Sequence, residues 1–268
     1  MNIIVCVKQV PDTTEIKIDP VKKTLIRDGV PSILNPFDGY AVEAALRLKD
    51  KDPNTKIVVV SMGPAQAKAV LKEALSMGCD KAYLVSDRAF GGSDTLATSY
   101  IISNSIKEIE KREGCKFDII MCGKQAIDGD TAQVGPEIAE HLGLPQVTYA
   151  WEITESAETS VVVKREVDDG YEMTEISTPC LITFTKPNFD PRYATIKGKM
   201  AANRAEIPTL GAADVPMDLS RAGLGGSPTK VKKTFTPDVK TGGMIIKEET
   251  EAETVAKLTS LLVGANII

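Results

Sequence analysis

The stretch Ile57-Val58-Val59-Val60-Ser61-Met62-Gly63-Pro64 is an apolar run that ends in a turn. Behind it, Ala67, Val70, Leu71, Ala74 and Leu75 recur at the i, i+3, i+4, i+7 and i+8 spacing of one helical face. Gly78 stops that helix, and Ala82-Tyr83-Leu84-Val85 is a second apolar run. Proline in front and glycine behind follow the asymmetry of helix ends. Strand, helix and strand in this order make a crossover unit, which joins parallel strands of one sheet.

The same alternation extends outward from this unit. Ile3–Val7 and Ile119–Cys122 read as further strands. Ala41, Val42, Ala45 and Leu46 mark one helix, and a second runs from about Asp94 to Lys111. A third carries Val134, Ile138, Ala139 and Leu142, with Gly143 at its end. The implied class is α/β, a mostly parallel sheet covered on both faces. Ligands of such sheets bind beyond the C-terminal ends of the strands. The loops that matter therefore follow Val7, Met62, Val85 and Cys122.

After Gly143 the pattern changes. Val147–Ile153, Val161–Val167, Tyr171–Ile176 and Cys180–Phe184 read as strands with no helices between them, and Asp169-Gly170 is a two-residue hairpin signal. These strands are expected to extend the sheet in antiparallel hairpins. From Lys186 the chain changes again: six of its fifteen prolines lie between Pro187 and Pro237, among few apolar residues. Such a stretch reads as an extended arm. It ends in a helix with a Thr250/Glu253 capping box and a stripe of Ala252, Val255, Leu258 and Leu262. An arm of this kind is expected to embrace a partner chain.

Composition narrows the function classes. The chain has 268 residues, 43% hydrophobic and 26% charged, with a net charge of −5. That balance argues against wholesale nucleic-acid binding, which needs a basic surplus. No apolar run reaches the roughly 18 residues of a membrane span, and the N-terminus has no basic segment and cleavage site ahead of its first strand. Cytoplasmic residence and no membrane role are the expectations. Five scattered cysteines and the single His141 argue against a zinc or iron–sulfur site. They also argue against a Ser-His-Asp triad. Any redox chemistry would belong to a cofactor, and no catalytic side chain is assigned.

The most informative loop is Gly123-Lys124-Gln125-Ala126-Ile127-Asp128-Gly129-Asp130-Thr131-Ala132-Gln133-Val134-Gly135-Pro136. It leaves a buried strand and enters a helix. Asp130 or Thr131 is the expected cap, with Gln133 three residues past Asp130. Free N–H groups and the dipole at such a helix start favour a phosphate. Gly123 and Gly129 allow close backbone approach, and Lys124 can add charge. Asp128 and Asp130 would repel phosphate and suit ribose hydroxyls or the loop itself. The residues alone leave a phosphate cradle and a capped structural turn both open.

Other strand-end loops converge on the same rim: Cys6-Val7-Lys8-Gln9-Val10-Pro11-Asp12-Thr13, Ser61-Met62-Gly63-Pro64, Asn35-Pro36-Phe37-Asp38 with Asp38 as the expected cap, and Gly91-Gly92-Ser93-Asp94-Thr95 with Ser93 as a cap. The last differs from the phosphate loop of ATP pyrophosphatases in having Phe90 where that loop begins with serine. No P-loop and no strand-linked dinucleotide fingerprint is present.

Taken together, Val7-Lys8-Gln9-Val10-Pro11-Asp12, Asn35-Pro36-Phe37-Asp38, Ser61-Met62-Gly63-Pro64-Ala65-Gln66, Gly123-Lys124-Gln125-Ala126-Ile127-Asp128, Lys164-Arg165-Glu166-Val167-Asp168-Asp169-Gly170 and Pro191-Arg192-Tyr193-Ala194-Thr195-Ile196 closely resemble the β subunit of electron transfer flavoproteins, over nearly the whole chain. The resemblance implies a heterodimer with an α subunit that carries an FAD on a mobile domain. It implies AMP, or the adenine half of a second FAD, in this subunit. The positions it assigns to that ligand are Cys6, Asn35, Pro36, Phe37, Asp38, Met62 and Gly123 to Val134. Lys8, Asp94 and Thr95 join them as rim residues. On the hairpin, the resemblance places Arg165 near the α-subunit flavin and links Glu166 to movement of the flavin domain. It makes Asn188 to Met200, with Arg192, Tyr193 and Ile196, the loop that recognises a partner dehydrogenase, Ile196 being its apolar anchor.

Within that family, Gly129-Asp130-Thr131-Ala132-Gln133-Val134-Gly135 and Val10-Pro11-Asp12-Thr13 look like the electron-bifurcating type of anaerobes. That type takes a hydride from NADH on the second FAD. It sends one electron to ferredoxin or flavodoxin and the other, through the α-subunit flavin, to an acyl-CoA dehydrogenase or related flavoenzyme. The AMP-containing type is the alternative. On residues alone, a structural or regulatory AMP-binding protein and a nucleotide-hydrolysing enzyme are further classes. The expected organisation is a Rossmann-like nucleotide-binding domain over 1–185, including the hairpins, and an extended C-terminal arm over 186–268 that wraps the α subunit.

Overall fold

The computed structural model describes residues 1–12, 31–232 and 242–268. In chain order the strands and helices are β1 (Asn2–Cys6), β2 (Gln9–Pro11), β3 (Ser32–Leu34), α1 (Pro36–Lys51), β4 (Lys56–Met62), α2 (Lys68–Met77), β5 (Lys81–Val85), α3 (Thr95–Glu113), β6 (Ile119–Gly123), α4 (Val134–Leu142), β7 (Gln146–Ser156), β8 (Ser160–Val167), β9 (Gly170–Ser177), β10 (Cys180–Phe184), α5 (Ile196–Arg204), β11 (Thr209–Leu210), α6 (Gly223–Gly226) and α7 (Glu251–Gly264). They fall into two units: one spans the described residues up to Lys232, and the other holds residues 242–268.

The first unit is a nine-stranded sheet in the order β11-β5-β4-β1-β6-β10-β7-β8-β9, with a small antiparallel pair, β2-β3, beside it. Its β11-to-β7 part is parallel throughout, as the crossover reading of residues 57–85 requires. Along β1 the side chains alternate. Ile3 and Val5 enter a core with α1 and α2, while Ile4 and Cys6 enter a second core with α3 and α4. Both faces are thus covered, and the fold class is the expected Rossmann-like α/β sheet.

The hairpin region divides in two. β8 and β9 are antiparallel, but their turn is Asp168-Asp169, one residue ahead of the expected Asp169-Gly170, because Gly170 already pairs with Val167 as the first residue of β9. β10 instead lies between β6 and β7, parallel to both. All five of its residues are buried, which is the environment of a central strand rather than of a hairpin edge.

Residues 186–232 run over the first unit. Ala202 and Ile207 are buried in α5 and just after it, and β11 adds an edge strand beside β5. The second unit consists chiefly of α7. Thr250 accepts the Glu253 amide and the Glu253 carboxylate accepts the Thr250 amide, so the capping box forms. Thr13 and residues 233–241 lie outside the described residues.

Candidate functional site

Three chain segments meet where β1 and β6 end. Asp38, in the first turn of α1, is 5% exposed, and its carboxylate accepts the Lys8 amide at 2.7 Å and the Gly123 amide at 3.1 Å. It thereby clasps the two strand ends. Asn35 makes a second tie: its amide nitrogen donates to the Gln125 carbonyl at 2.8 Å, and its oxygen accepts from the Ile127 amide at 3.2 Å. A third tie is the Lys8–Asp128 ion pair at 2.6 Å. These contacts bring Lys8, Asn35, Asp38 and the loop from Gly123 to Asp128 together, as the convergence of strand-end loops predicts.

The caps differ from expectation. α1 starts at Pro36 with Asn35 as its N-cap residue, so Asp38 is inside the helix. The Asn35 side chain makes no cap bond because it is engaged across the loop. α4 starts only at Val134, so neither Asp130 nor Thr131 caps it. Asp130 and Ala132 take left-handed backbone conformations, φ 50° and 52°, which break the chain ahead of the helix. The Asp130 carboxylate is held by the Gln125 side chain at 2.7 Å. At α3 the cap is Asp94, which accepts the Ala97 amide at 3.0 Å. Ser93 instead donates to the Phe90 carbonyl and accepts from the Gly223 amide.

These departures leave the start of α4 without a side-chain cap. Its first amides have no acceptor within the helix. Two glycines let the cradle form. A Cβ at Gly123 would collide with Asp38 and the Phe37 backbone, and one at Gly135 would lie 2.6 Å from Thr183 Cγ2. Nothing lies within 4 Å of a Cβ built on Gly129, so the loop is open on its outer side. Thr95 joins the start of α3 to α4 through Gln133 at 3.3 Å and Glu137 at 3.2 Å. Two buried polar atoms, Ser61 Oγ and Glu137 Oε2, have no hydrogen-bond partner.

The electrostatics are those of a backbone cradle. Lys8 neutralises Asp128. The Lys124 ammonium lies 4.5 Å from the centroid of the Tyr149 ring. Free amides and the helix dipole are what the site offers an anion, while the Glu137 carboxylate in the first turn of α4 opposes one. Burial pushes the Asp38 carboxyl up to about 7, against the lowering effect of Asn35 and the Lys8 and Gly123 amides. These residues fit a phosphate-bearing ligand held by main chain. Met62 ends β4 and packs on the α3–α4 core, with Cys6 and Cys122 in that same core. Phe37 is half-buried and meets Tyr40 edge to face. His141 packs edge to face on Tyr100 with its Nε2 buried.

Sequence reasoning passed over several residues here. Ser227 accepts the Asp94 amide and Asp94 accepts the Thr229 amide, so a loop more than a hundred residues away completes the α3 start. Beside it lies a groove of about 310 Å³ lined by Leu96, Tyr100, Arg221, Gly225 and Ser227, with the Arg221 guanidinium 4.0 Å from the Tyr100 ring centroid. Small polar residues in a proline-rich stretch carry no signal for such closure.

The residues expected to face a partner lie elsewhere. Arg165 is held by the Thr148 carbonyl at 3.0 Å and Glu172 at 2.9 Å, and Glu166 faces Tyr171 across the hairpin. Arg192 is engaged within the chain, by Glu43 at 2.8 Å and Asp50 at 2.6 Å. These bonds raise the Arg192 pKa and lower that of Asp50. Glu43 is lowered too, although its burial opposes this. Next to this clamp, Tyr193 is 96% and Ile196 82% exposed.

The fold defines a Rossmann-like protein with an uncapped helix start among loops gathered at the sheet's C-terminal rim. The electron transfer flavoprotein domain model matches residues 22–215. The chain is 56% identical to the electron transfer flavoprotein subunit beta of Megasphaera elsdenii over the full length of both, and 52% identical to that of Clostridium acetobutylicum over 96% of this chain and 98% of the relative. It is 47% identical over the full length of both to the caffeyl-CoA reductase-Etf complex subunit CarD of Acetobacterium woodii. The chain belongs to the electron transfer flavoprotein beta-subunit family. Membership implies association with a flavin or nucleotide, an α-subunit partner and service to flavin dehydrogenases. Among the described residues, no helix is long and apolar enough to cross a membrane.

Proposed function

We propose that this chain is the beta subunit of an electron-bifurcating electron transfer flavoprotein and holds FAD at the β1/β6 rim. The observation that carries this reading is the uncapped α4 start beside a loop that is open around Gly129. Cys6, Asn35 to Asp38, Met62, Asp94, Thr95 and Gly123 to Val134 would hold the ligand. The amides would bind the phosphates, Asp128 or Asp130 the ribose, and the glycines would admit the chain of the cofactor. Bound FAD would supply hydride acceptance from NADH and release of single electrons.

In this reading the electrons pass to ferredoxin or flavodoxin and, through the α-subunit FAD, to a flavin dehydrogenase of the acyl-CoA type. One relative is named as part of a caffeyl-CoA reductase complex, which favours a CoA-ester reductase as partner. Tyr193 and Ile196 form the docking patch, since an exposed aromatic and aliphatic pair suits a transient hot spot. Arg165 and Glu166 face the α-subunit flavin domain, and the C-terminal arm wraps the α subunit. The complex is cytoplasmic.

The test is to release and quantify the ligands of the co-purified αβ complex. Equal amounts of FAD in both subunits are expected. One FAD accompanied by one AMP would replace this reading with the AMP-containing carrier.

A further inference from the structure

Cys6 and Cys122 lie at the ends of β1 and β6 and are in-register partners on these adjacent parallel strands. Both point into the core under α3 and α4. Neighbouring strands run about 4.7–4.9 Å apart, inside the Cα window of roughly 4.4–6.8 Å over which two cysteines can close a disulfide. All five cysteines of the chain are free thiols. Cys79 and Cys180 belong to the opposite core, and Cys115 sits past the end of α3.

The pair is also the floor of the candidate site. The amides that Asp38 clasps belong to Gly123, next after Cys122, and Lys8, two past Cys6. A Cβ on Gly135, in the first turn of α4, would lie 3.6 Å from the Cys122 Cβ. A ligand on the α4 amides would thus lie beside the strand ends that carry the two thiols, and would hold in place the α4 start that packs on Cys122. Hydrogen bonding with Cys6, together with burial, raises the Cys122 pKa well above its ordinary value. A thiol kept neutral and covered attacks disulfides poorly.

We propose that Cys6 and Cys122 are a reversible disulfide site which the bound nucleotide keeps reduced, and that the disulfide, once formed in the emptied cradle, bars the nucleotide from returning. This rests on the nucleotide reading above. The co-reactant is a low-molecular-mass disulfide. One cysteine, losing its proton, attacks that disulfide and releases one small thiol. The second cysteine then attacks the mixed disulfide and releases the other. Two S–H bonds are lost and one protein S–S bond forms, while the reagent takes up the two electrons and two protons. The new bond ties β1 to β6 where Asp38 and α4 must both fit.

The experiment compares the αβ complex as purified with the same complex stripped of nucleotide and repurified. Extraction first measures the adenine nucleotide in each. Both are then exposed to oxidised glutathione, alkylated, and mapped by peptide mass spectrometry. A Cys6–Cys122 cross-link is expected in the stripped complex, with about tenfold less in the loaded one, as saturating ligand dictates. Cys79 and Cys180 should stay unmodified, which reports that the fold is intact. The oxidised complex should fail to take up FAD or AMP until a dithiol reduces it. Cys122→Ser should abolish the cross-link and leave Cys6 to form only the mixed disulfide. A stripped, folded complex without the cross-link, or equal cross-linking in both samples, overturns the proposal. Absence of nucleotide at the extraction step instead sinks the nucleotide reading before any oxidant is added, and the guarding role falls with it.

Discussion

The two ends of the parallel sheet treat a buried carboxylate in opposite ways. At the N-terminal end, the Glu113 side chain is 1% exposed and meets Lys56 at 2.7 Å, Lys81 at 2.9 Å and the Tyr83 hydroxyl. Burial alone would raise its pKa, but Lys56, Tyr83 and Lys81 hold it down to about 2. At the C-terminal end, Asp38 is buried against main-chain amides and its carboxyl rises to about 7. One end is neutralised and closed. The other keeps uncapped helix amides, open space at Gly129 and an incompletely compensated acid. The contrast leaves charge compensated at the base of the sheet and uncompensated at its rim.

The largest test of that contrast is Gly123→Ala. The added methyl has no room between β6 and the start of α1, because Asp38 and the Phe37 backbone already occupy the space. Overpacking against backbone of this kind costs about 3 kcal/mol or more, and it displaces the clasp as well. A large drop in the denaturation midpoint and loss of co-purified nucleotide are expected. Retention of both would mean that the rim is not a close-fitted cradle.

What the sequence made legible follows the same division. The parallel strands and their helices were readable because apolar periodicity is a local signal: Val70, Leu71 and Ala74 are buried as their spacing requires. The rim loops were placed correctly because strand ends of such a sheet share one side. The caps at the rim were not legible, unlike the Thr250/Glu253 box, since Asp130 is drawn off by Gln125 within its own loop and Asn35 by tertiary contact with the 125–127 loop. The same holds for the Ser227–Asp94 closure and the Arg192–Glu43–Asp50 clamp, whose partners are over a hundred residues apart. β10 carried a usable signal, an unbroken apolar run from Cys180 to Phe184 apart from Thr183, which fits a central strand better than a hairpin.

Glu113→Gln probes the closed end and ranks second. Losing the charge that binds two lysines should cost about 2 kcal/mol, toward the low side for a buried ion pair because both lysines can rehydrate. The dependence on pH is the sharper readout. A carboxyl held at about 2 against an ordinary 4.5 contributes stability that is present above 4.5 and lost as the pH falls through about 2. Chemical denaturation of the two proteins should therefore differ at pH 5 and converge near pH 2. A constant gap would show that packing, not charge, sets the value of this end.

Asp38→Asn probes the open end and carries the smallest change at neutral pH. The amide group of asparagine turns a donor toward the Lys8 or Gly123 N–H, so one bond is lost. Burial of the ionised carboxylate already offsets much of what those bonds contribute, and the net loss at pH 8 should be about 1 kcal/mol. The pH slope has the opposite sign to that of Glu113. A carboxyl raised to about 7 from 3.8 contributes stability that is full below 3.8 and is lost as the pH rises through about 7. The native protein should gain stability over Asp38→Asn as the pH is lowered from 8 to 5, measured by denaturant midpoints at each pH. Parallel curves over that range would mean that Asp38 is ionised throughout, and the rim would then hold its carboxylate as securely as the base holds Glu113.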